Sequence, residues 1–394
     1  MMKQSSTGTR FRALVTGGAG LIGSHIVDRL LVEGCFVRVF DNLEPQTHHG
    51  GRPVWSRMAE DSGAEFVQGD IRDRSAVATA LRDIDVVFHE AAYGGYMPEI
   101  AKFVEVNSFG TAQLLEVIRD KKLPVRKVIV ASSQVVYPEG AAECPIHGVK
   151  YPPIRPIERL RRGDFEVHCP ECGQITRSVP TPESAPLAGE TVYAMTKVDQ
   201  EKLVLLWGRQ VGIPTVALRY SCTYGPRQSI FNPYTGVIAI FCTRLLNGLP
   251  PVIYEDGEQT RDFSFVEDIA SANWLVANTD SLDGLAVNVG SGEAVSVKRV
   301  AKLVADALNV QLKPVINGEF RPGEIRHLIC KTNLMRSIGY MPQVRLEQGI
   351  VRYLDWIRSQ GNVKDYFAAA EPLLRAKGIL QKVGGIASSR SPAP

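Results

Sequence analysis

Residues 12–34 hold the feature that most constrains this chain. A short β-rich run, Arg12-Ala13-Leu14-Val15-Thr16, breaks into Gly17-x-x-Gly20-x-x-Gly23. A stretch with a helical apolar period follows (Ile26, Val27, Leu30, Leu31), and Gly34 stops it. Glycines at this spacing between strand and helix serve a tight turn, close approach of the backbone to a pyrophosphate, and close packing of helix on sheet. The free N–H groups at the positive end of the helix then face the phosphates. Gly17, Gly20, Leu21, Ile22 and Gly23 are therefore expected to hold a dinucleotide. Phe36-Val37-Arg38-Val39-Phe40 reads as the next strand, and Asp41 ends it 18 residues after Gly23. A carboxylate there can accept from both ribose hydroxyls of an adenosine and repels a 2′-phosphate, so NAD is expected over NADP.

Further strands are expected at Glu65–Val67, Val86–Phe88, Val128–Ala131 and Thr215–Tyr220, with helical stretches between them. Such alternation implies an α/β fold built on a doubly wound parallel sheet. Asp70 and Ile71 end the third strand and Ala91-Ala92 the fourth, where a dinucleotide would pass. From Pro138 to Leu187 the chain is rich in Pro, Gly, Arg and Cys with no helical period, and a stretch of that kind needs an internal staple. Three regions follow: 1–220 as the dinucleotide domain carrying an insertion at 138–187, 221–358 as a smaller substrate lobe with some strand exchange, and 359–394 as a tail. The tail has one helical patch, Tyr366–Lys377, and an end expected to fray.

Across 394 residues, 45 basic and 42 acidic side chains leave a net charge of +3. That balance argues against nucleic acid or a membrane surface as the main partner. No apolar run approaches the roughly 18 residues of a membrane span, and Met1–Arg10 is polar, so a cytoplasmic enzyme is expected. Four of the seven cysteines, Cys35, Cys222, Cys242 and Cys330, lie singly and read as buried thiols.

Tyr193-Ala194-Met195-Thr196-Lys197 places a phenol and an ammonium four residues apart, on one face of a helix expected over Thr191–Val211. A free phenol ionises near pH ~10, too high for a base at neutrality, and a nearby Lys⁺ and an oxidised nicotinamide would both favour the tyrosinate. Lys197 can also hold the nicotinamide ribose. Ser133, ending the fifth strand, could donate to the same substrate oxygen.

Taken in order, these motifs resemble the extended short-chain dehydrogenase/reductase family, in its NAD-dependent nucleotide-sugar epimerase/dehydratase branch. The residues that carry the resemblance are Thr16 to Gly23, Asp41-Asn42-Leu43, Val106-Asn107-x-x-Gly110-Thr111, Ser132-Ser133-x-x-Val136-Tyr137 and Tyr193-x-x-x-Lys197. They continue through Leu218-Arg219-Tyr220, Tyr224 to Gln228, Arg261-Asp262-Phe263, Asn288 to Gly292 and Arg321 to His327. The resemblance implies a Rossmann domain, a C-terminal substrate lobe, a homodimer built on a four-helix bundle, and a nucleotide-diphosphate sugar as substrate. It makes Ser133, Tyr193 and Lys197 the catalytic triad and adds Asn42 and Asn107 to the cofactor residues. Arg261 and Arg321 would grip the diphosphate, with Gln134, Cys222 and Asn232 also facing the substrate.

Dehydratases of this family carry Asp-Glu after the catalytic hydroxyl, where this chain has Gln134-Val135. Dehydration is thus disfavoured and 4-epimerisation expected; a dehydrogenase, reductase, dehydratase or decarboxylase on the same scaffold is the alternative. Cys222 stands where many relatives have Asn. In the insertion, Cys144-x-x-His147 and Cys169-x-x-Cys172 form two pairs suited to a closed tetrahedral zinc site. Free thiols, or His168 in place of His147, remain open. The pairs, and Asn232-Pro233-Tyr234-Thr235-Gly236-Val237, resemble a bacterial subgroup that includes sugar 4-epimerases. The insertion is expected to border the sugar pocket.

Overall fold

The computed structural model describes residues 10–45, 47–48, 63–95, 99–232, 236–361 and 363–384. Of the tail, 385–394 lies outside the described residues, as do Pro233–Thr235.

Seven strands form one sheet: β1 (Arg12–Thr16), β2 (Phe36–Asp41), β3 (Glu65–Gln68), β4 (Val86–His89), β5 (Lys127–Ser133), β6 (Thr215–Tyr220) and β7 (Ala286–Val289). Their order is β7-β6-β5-β4-β1-β2-β3, and every neighbouring pair is parallel. Helices cover both faces, which is why the strands read as unbroken apolar runs rather than alternating ones. α1 (Leu21–Val32) lies on one face, and α2 (Arg74–Ala80), α3 (Gly110–Asp120) and α4 (Val192–Val211) on the other. On the first face Ile26, Val27 and Leu30 of α1 pack with Val15, Phe88 and Leu218. On the second, Leu114, Ile118, Val204 and Trp207 pack with Leu14, Val87 and Val128. The strand order reverses between β1 and β4, so the loops leaving their C-terminal ends part and open a crevice there.

Thr191 caps α4, its hydroxyl accepting from Ala194 N at 3.1 Å, and Gly212 ends the helix in the left-handed region at φ 75°. Lys197, Glu201 and Val204 form a buried stripe at helical spacing along it.

A second core gathers Phe241 from α5 (Val237–Leu246), Val300 and Val304 from α7 (Val297–Leu308), and Ile350 and Leu354 from α8 (Leu346–Ser359). Between these, α6 (Val266–Ala277) returns to α1's face of the sheet and β7 extends its edge. The chain thus crosses between lobes more than once.

The insertion differs from its structureless expectation. Ala142–Cys144 pairs antiparallel with both Gly148–Lys150 and Arg177–Ser178, and Ile157–Arg161 is a short helix started at Pro156. Five residues are too few to show a helical period. What ties this region down is a buried ionic cluster. Arg155 meets Glu139 at 2.8 Å and Glu255 at 3.0 Å, and Arg326 meets Glu255 at 2.8 Å, Asp256 at 2.7 Å and Glu166 at 2.6 Å. Insertion and substrate lobe are therefore locked charge to charge.

The expectation of a loose tail does not extend to residue 384. Gln381–Lys382 pairs antiparallel with Glu319–Phe320, Arg375 bonds Glu319 at 2.6 Å, and Gly384 N donates to Arg161 O at 2.9 Å. The helical patch is present as Phe367–Ala376.

Candidate active site

A cleft runs along the C-terminal edge of the sheet, lined in turn by Asp41, Gly20, Glu90, Ser133, Tyr193 and Asn232. Its floor at one end is the glycine turn. Gly17 takes φ 66°, and a Cβ on Gly23 would sit 2.3 Å from Gly17 O, so both positions exclude any side chain. Gly20 precedes α1, which has no side-chain cap and no acidic residue in its first turn. Uncapped amides facing a cleft are what an anionic pyrophosphate needs. Asp41 is buried, and its two oxygens accept from Ala19 N at 3.0 Å and Leu43 N at 2.8 Å. Each carboxylate oxygen keeps one further acceptor site, which suits ribose hydroxyls. The residues at this end fit a dinucleotide.

Leu21, Ile22, Asn42, Ile71, Ala91 and Ala92 line the same cleft. Asp70 and Asn107 do not. Arg72 clasps Asp70 at 2.9 Å and holds its carboxyl down at about 2, through that hydrogen bond first. Asn107 is fully buried. Its amide spans the backbone of Tyr93, donating to the carbonyl at 2.9 Å and accepting from the N–H at 2.7 Å, and it also donates to Thr196 Oγ1 at 2.9 Å. It thereby fixes the loop after β4 against α4.

At the other end Ser133, Tyr193 and Lys197 converge. Ser133 stands level with Tyr220 across β5 and β6. Arg219 fixes these strand ends to α4, holding Glu201 at 2.6 Å and 2.9 Å while Ser132 donates to the same carboxylate at 2.8 Å. Tyr193 is pushed up to about 12 by burial, with a hydrogen bond to Ser133 working against the rise. Lys197 donates to Ala131 O at 2.9 Å and its Nζ lies 6.0 Å from the Tyr193 ring centre. Burial lowers the Lys197 ammonium to about 8, and the charge of Glu90 supports it. Burial dominates at the phenol and its hydrogen bond to Ser133 opposes the rise; a cation brought into the cleft would add a further pull toward the tyrosinate.

The sequence reading gave no site role to several lining residues, among them His48, Glu90, Tyr93, Tyr220, Gln228 and Ser229. Glu90 and Tyr220 sit at the C-terminal ends of β4 and β6, and the rule that ligands bind there would have found them.

Gln134, Cys222, Arg261 and Arg321 lie beyond the cleft lining. Gln134 is buried and donates to Cys222 Sγ at 3.0 Å, and burial raises the Cys222 thiol to about 11. Arg261 and Arg321 share Glu324, at 2.9 Å and 3.5 Å. No lining residue comes from 138–187, so the insertion does not border this cleft. It approaches the arginines through Arg155, which donates to Glu324 O at 2.7 Å, and through Glu139, whose charge meets that of Arg261.

Within the insertion Cys144, His147, Cys169 and Cys172 gather, their ligand atoms all within 4.8 Å of one another. Cys144 Sγ is 3.7 Å from both Cys172 Sγ and His147 Nδ1, and Cys169 Sγ is 3.5 Å from His147 Nδ1. His168 points elsewhere, engaged by Gly173 O at 2.7 Å and Asp164 at 3.0 Å, which removes it as the alternative ligand.

Fold and cleft together define an α/β protein of the dinucleotide-binding, Rossmann type. The chain belongs to the NAD dependent epimerase/dehydratase family, whose model matches residues 13–159 and 170–290, the gap falling inside the insertion. It is 33% identical to a dTDP-L-rhamnose 4-epimerase of Burkholderia thailandensis, over 89% of this chain and 95% of that protein. It is 30% identical to a putative UDP-glucose 4-epimerase of Methanocaldococcus jannaschii, over 88% of this chain and 98% of that one. Among solved structures it is similar to the UDP-glucose 4-epimerase of Thermus thermophilus in complex with NAD, at 30% identity and a TM-score of 0.67, covering 88% of this chain and 99% of that chain. Among the described residues no helix is long and apolar enough to cross a membrane.

Proposed function

We propose that this protein is an NAD-dependent nucleotide-sugar 4-epimerase. The observation that carries the reading is the convergence of Ser133, Tyr193 and Lys197 on the cleft that the glycine turn and Asp41 close at its other end. NAD, when bound, supplies the hydride acceptor and donor for the sugar. The Tyr193 phenolate takes the proton of the 4-hydroxyl and later returns it, while the Ser133 hydroxyl donates to the same oxygen. Lys197 holds positive charge beside that phenol. Arg261 and Arg321 grip the diphosphate with permanently charged forks, leaving the sugar free to turn between the two half-reactions. Neither of the two residues that follow Ser133 titrates: Gln134 is an amide in a buried hydrogen bond, and Val135 is apolar. That disfavours dehydration and supports simple inversion.

The test is incubation with UDP-, dTDP- and GDP-sugars in deuterated water. Inversion at one carbon, with no deuterium taken up and no net loss of cofactor, is the expected result. Deuterium at carbon 3 or 5, or NAD consumed in step with product, would overturn it.

We also propose that Cys144, His147, Cys169 and Cys172 hold one structural zinc. Metal–ligand bonds of about 2.3 Å to sulfur and 2.0–2.1 Å to nitrogen make tetrahedral edges of about 3.8 Å and 3.5 Å, close to the separations found. His147 Nε2 lies 3.5 Å from Glu171, the outer carboxylate that commonly orients a metal-bound imidazole. Elemental analysis giving one zinc per chain is expected; none would remove the site. A homodimer is proposed through the helical face where Val104, Phe109, Met195 and Leu206 are exposed. Phe109→Glu should then yield monomers by light scattering, and an unchanged mass would refute that face.

A further inference from the structure

One titratable group in the cleft has no part in the reaction as proposed. Glu90 follows β4 at the point where the strand order reverses, its N–H bonded to Thr16 O at 3.1 Å, and it lines the cleft between the glycine turn and Lys197. Tyr220, from the end of β6, donates to its Oε1 at 2.9 Å. Asn273 of α6 holds that phenol in turn, 2.8 Å away, and bonds Ile269 O at 3.0 Å. An acid fixed by two elements of the sheet-and-helix frame is a built feature.

Among the described residues, the groups facing it leave one cation. Lys197 of α4 bears on it electrostatically and favours its ionised form. Tyr220 is pushed well above its ordinary value by burial and stays a neutral donor. Tyr193, at about 12, is neutral as well. His89 is turned away between Thr16 at 2.7 Å and Thr111 at 2.8 Å, and burial drops it to about 3, so it carries no charge. Asn273 brings none from α6. A dinucleotide that reaches from Asp41 to Tyr193 passes Glu90, and its nicotinamide is a cation when oxidised and neutral when reduced.

We infer that Glu90 is a positioning residue that sets the redox preference of this site, its carboxylate favouring the oxidised cofactor over the reduced one. A carboxylate opposite Lys197 offsets the field of that ammonium, which alone would repel the cation. Burial holds Glu90 up at about 7, so its charge, and with it the preference for the oxidised form, grows as pH rises through neutrality. The effect matters to a reaction that must end with its cofactor oxidised again.

This inference rests on the cofactor reading above, and the test separates the two. NAD⁺ and NADH compete for the full-length protein at a series of pH values, read by NADH fluorescence. In the wild type the preference for NAD⁺ should rise about tenfold between pH ~5.5 and ~7.5, the size of one nearby charge at an intermediate dielectric. Glu90→Gln, which keeps the hydrogen bond to Tyr220, should lose that rise below pH ~7, where Lys197 remains charged. Tyr220→Phe removes a hydrogen bond to the carboxylate and should move the rise to higher pH, a response that titration of Lys197 alone would not give. A preference independent of pH in the wild type, or the same rise in Glu90→Gln, overturns the role of Glu90. Failure of both cofactor forms to bind would instead sink the cofactor reading.

Discussion

Replacing Arg326 by methionine tests what holds the insertion to the substrate lobe. Arg326 is fully buried and makes ion pairs with Glu255, Asp256 and Glu166, while its backbone N–H donates to Glu139 at 2.6 Å. The three carboxylates are not equal. Side-chain exposure is 45% for Asp256 and 35% for Glu166 against 3% for Glu255. Water screens the first two, worth about 0–1 kcal/mol each. Glu255 would be left charged in the interior, and removing one partner of a buried pair costs about 3–5 kcal/mol. Arg155 remains on Glu255 at 3.0 Å, which favours the lower figure. With an unfolding entropy of roughly 2.1 cal/mol/K per residue, about 3 kcal/mol in a chain of 394 residues corresponds to a fall in melting temperature of about 4 °C. Scanning calorimetry reads this directly, and amide exchange should quicken across 155–166. A melting temperature within about 1 °C of the wild type would show that the cluster does not lock the two regions, and the reasoning would fail.

Two further outcomes follow from single contacts. Gly23→Ala puts a methyl 2.3 Å from Gly17 O, a backbone atom that cannot swing aside, so titration with NAD should show binding lost or weakened by at least about tenfold while the far end of the chain stays folded. Glu166 is held down at about 2, chiefly by its hydrogen bond to His327 and then by Arg326. A depressed carboxyl contributes stability that is complete above its unfolded value of about 4.3 and lost as pH falls through the folded one. Thermal melts of Glu166→Gln should therefore lie below the wild type at pH 7 and meet it near pH 2; a constant gap across that range would contradict the shift.

Much of this architecture was legible because it is local. The glycine turn, the carboxylate ending β2 and the four-residue spacing of Tyr193 and Lys197 each lie within one element or one junction. The pairs Cys144/His147 and Cys169/Cys172 lie within single turns, and only their union needed the fold. The buried cluster was not legible. Arg155 meets Glu255 100 residues away and Arg326 meets Glu139 across 187, and an arginine in isolation reads as surface. Glu90 was legible in place but not in role. Its position at a strand's C-terminal end marks it as cleft lining, yet its partners Tyr220 from β6 and Lys197 from α4 meet it only in the fold. The short pairing of Gln381–Lys382 with Glu319–Phe320 likewise has no period to betray it.

The most direct test of the central claim is a single turnover followed by the absorbance of reduced nicotinamide, with the protein in excess over its nucleotide sugar. The wild type should show reduced cofactor rising and decaying as the sugar inverts. Tyr193→Phe should bind the sugar with similar affinity and show that rise slowed by about 10²–10⁴-fold, the usual cost of losing a positioned base. Inversion at the wild-type rate in Tyr193→Phe, or inversion by the wild type with no reduced cofactor ever formed, would contradict the account.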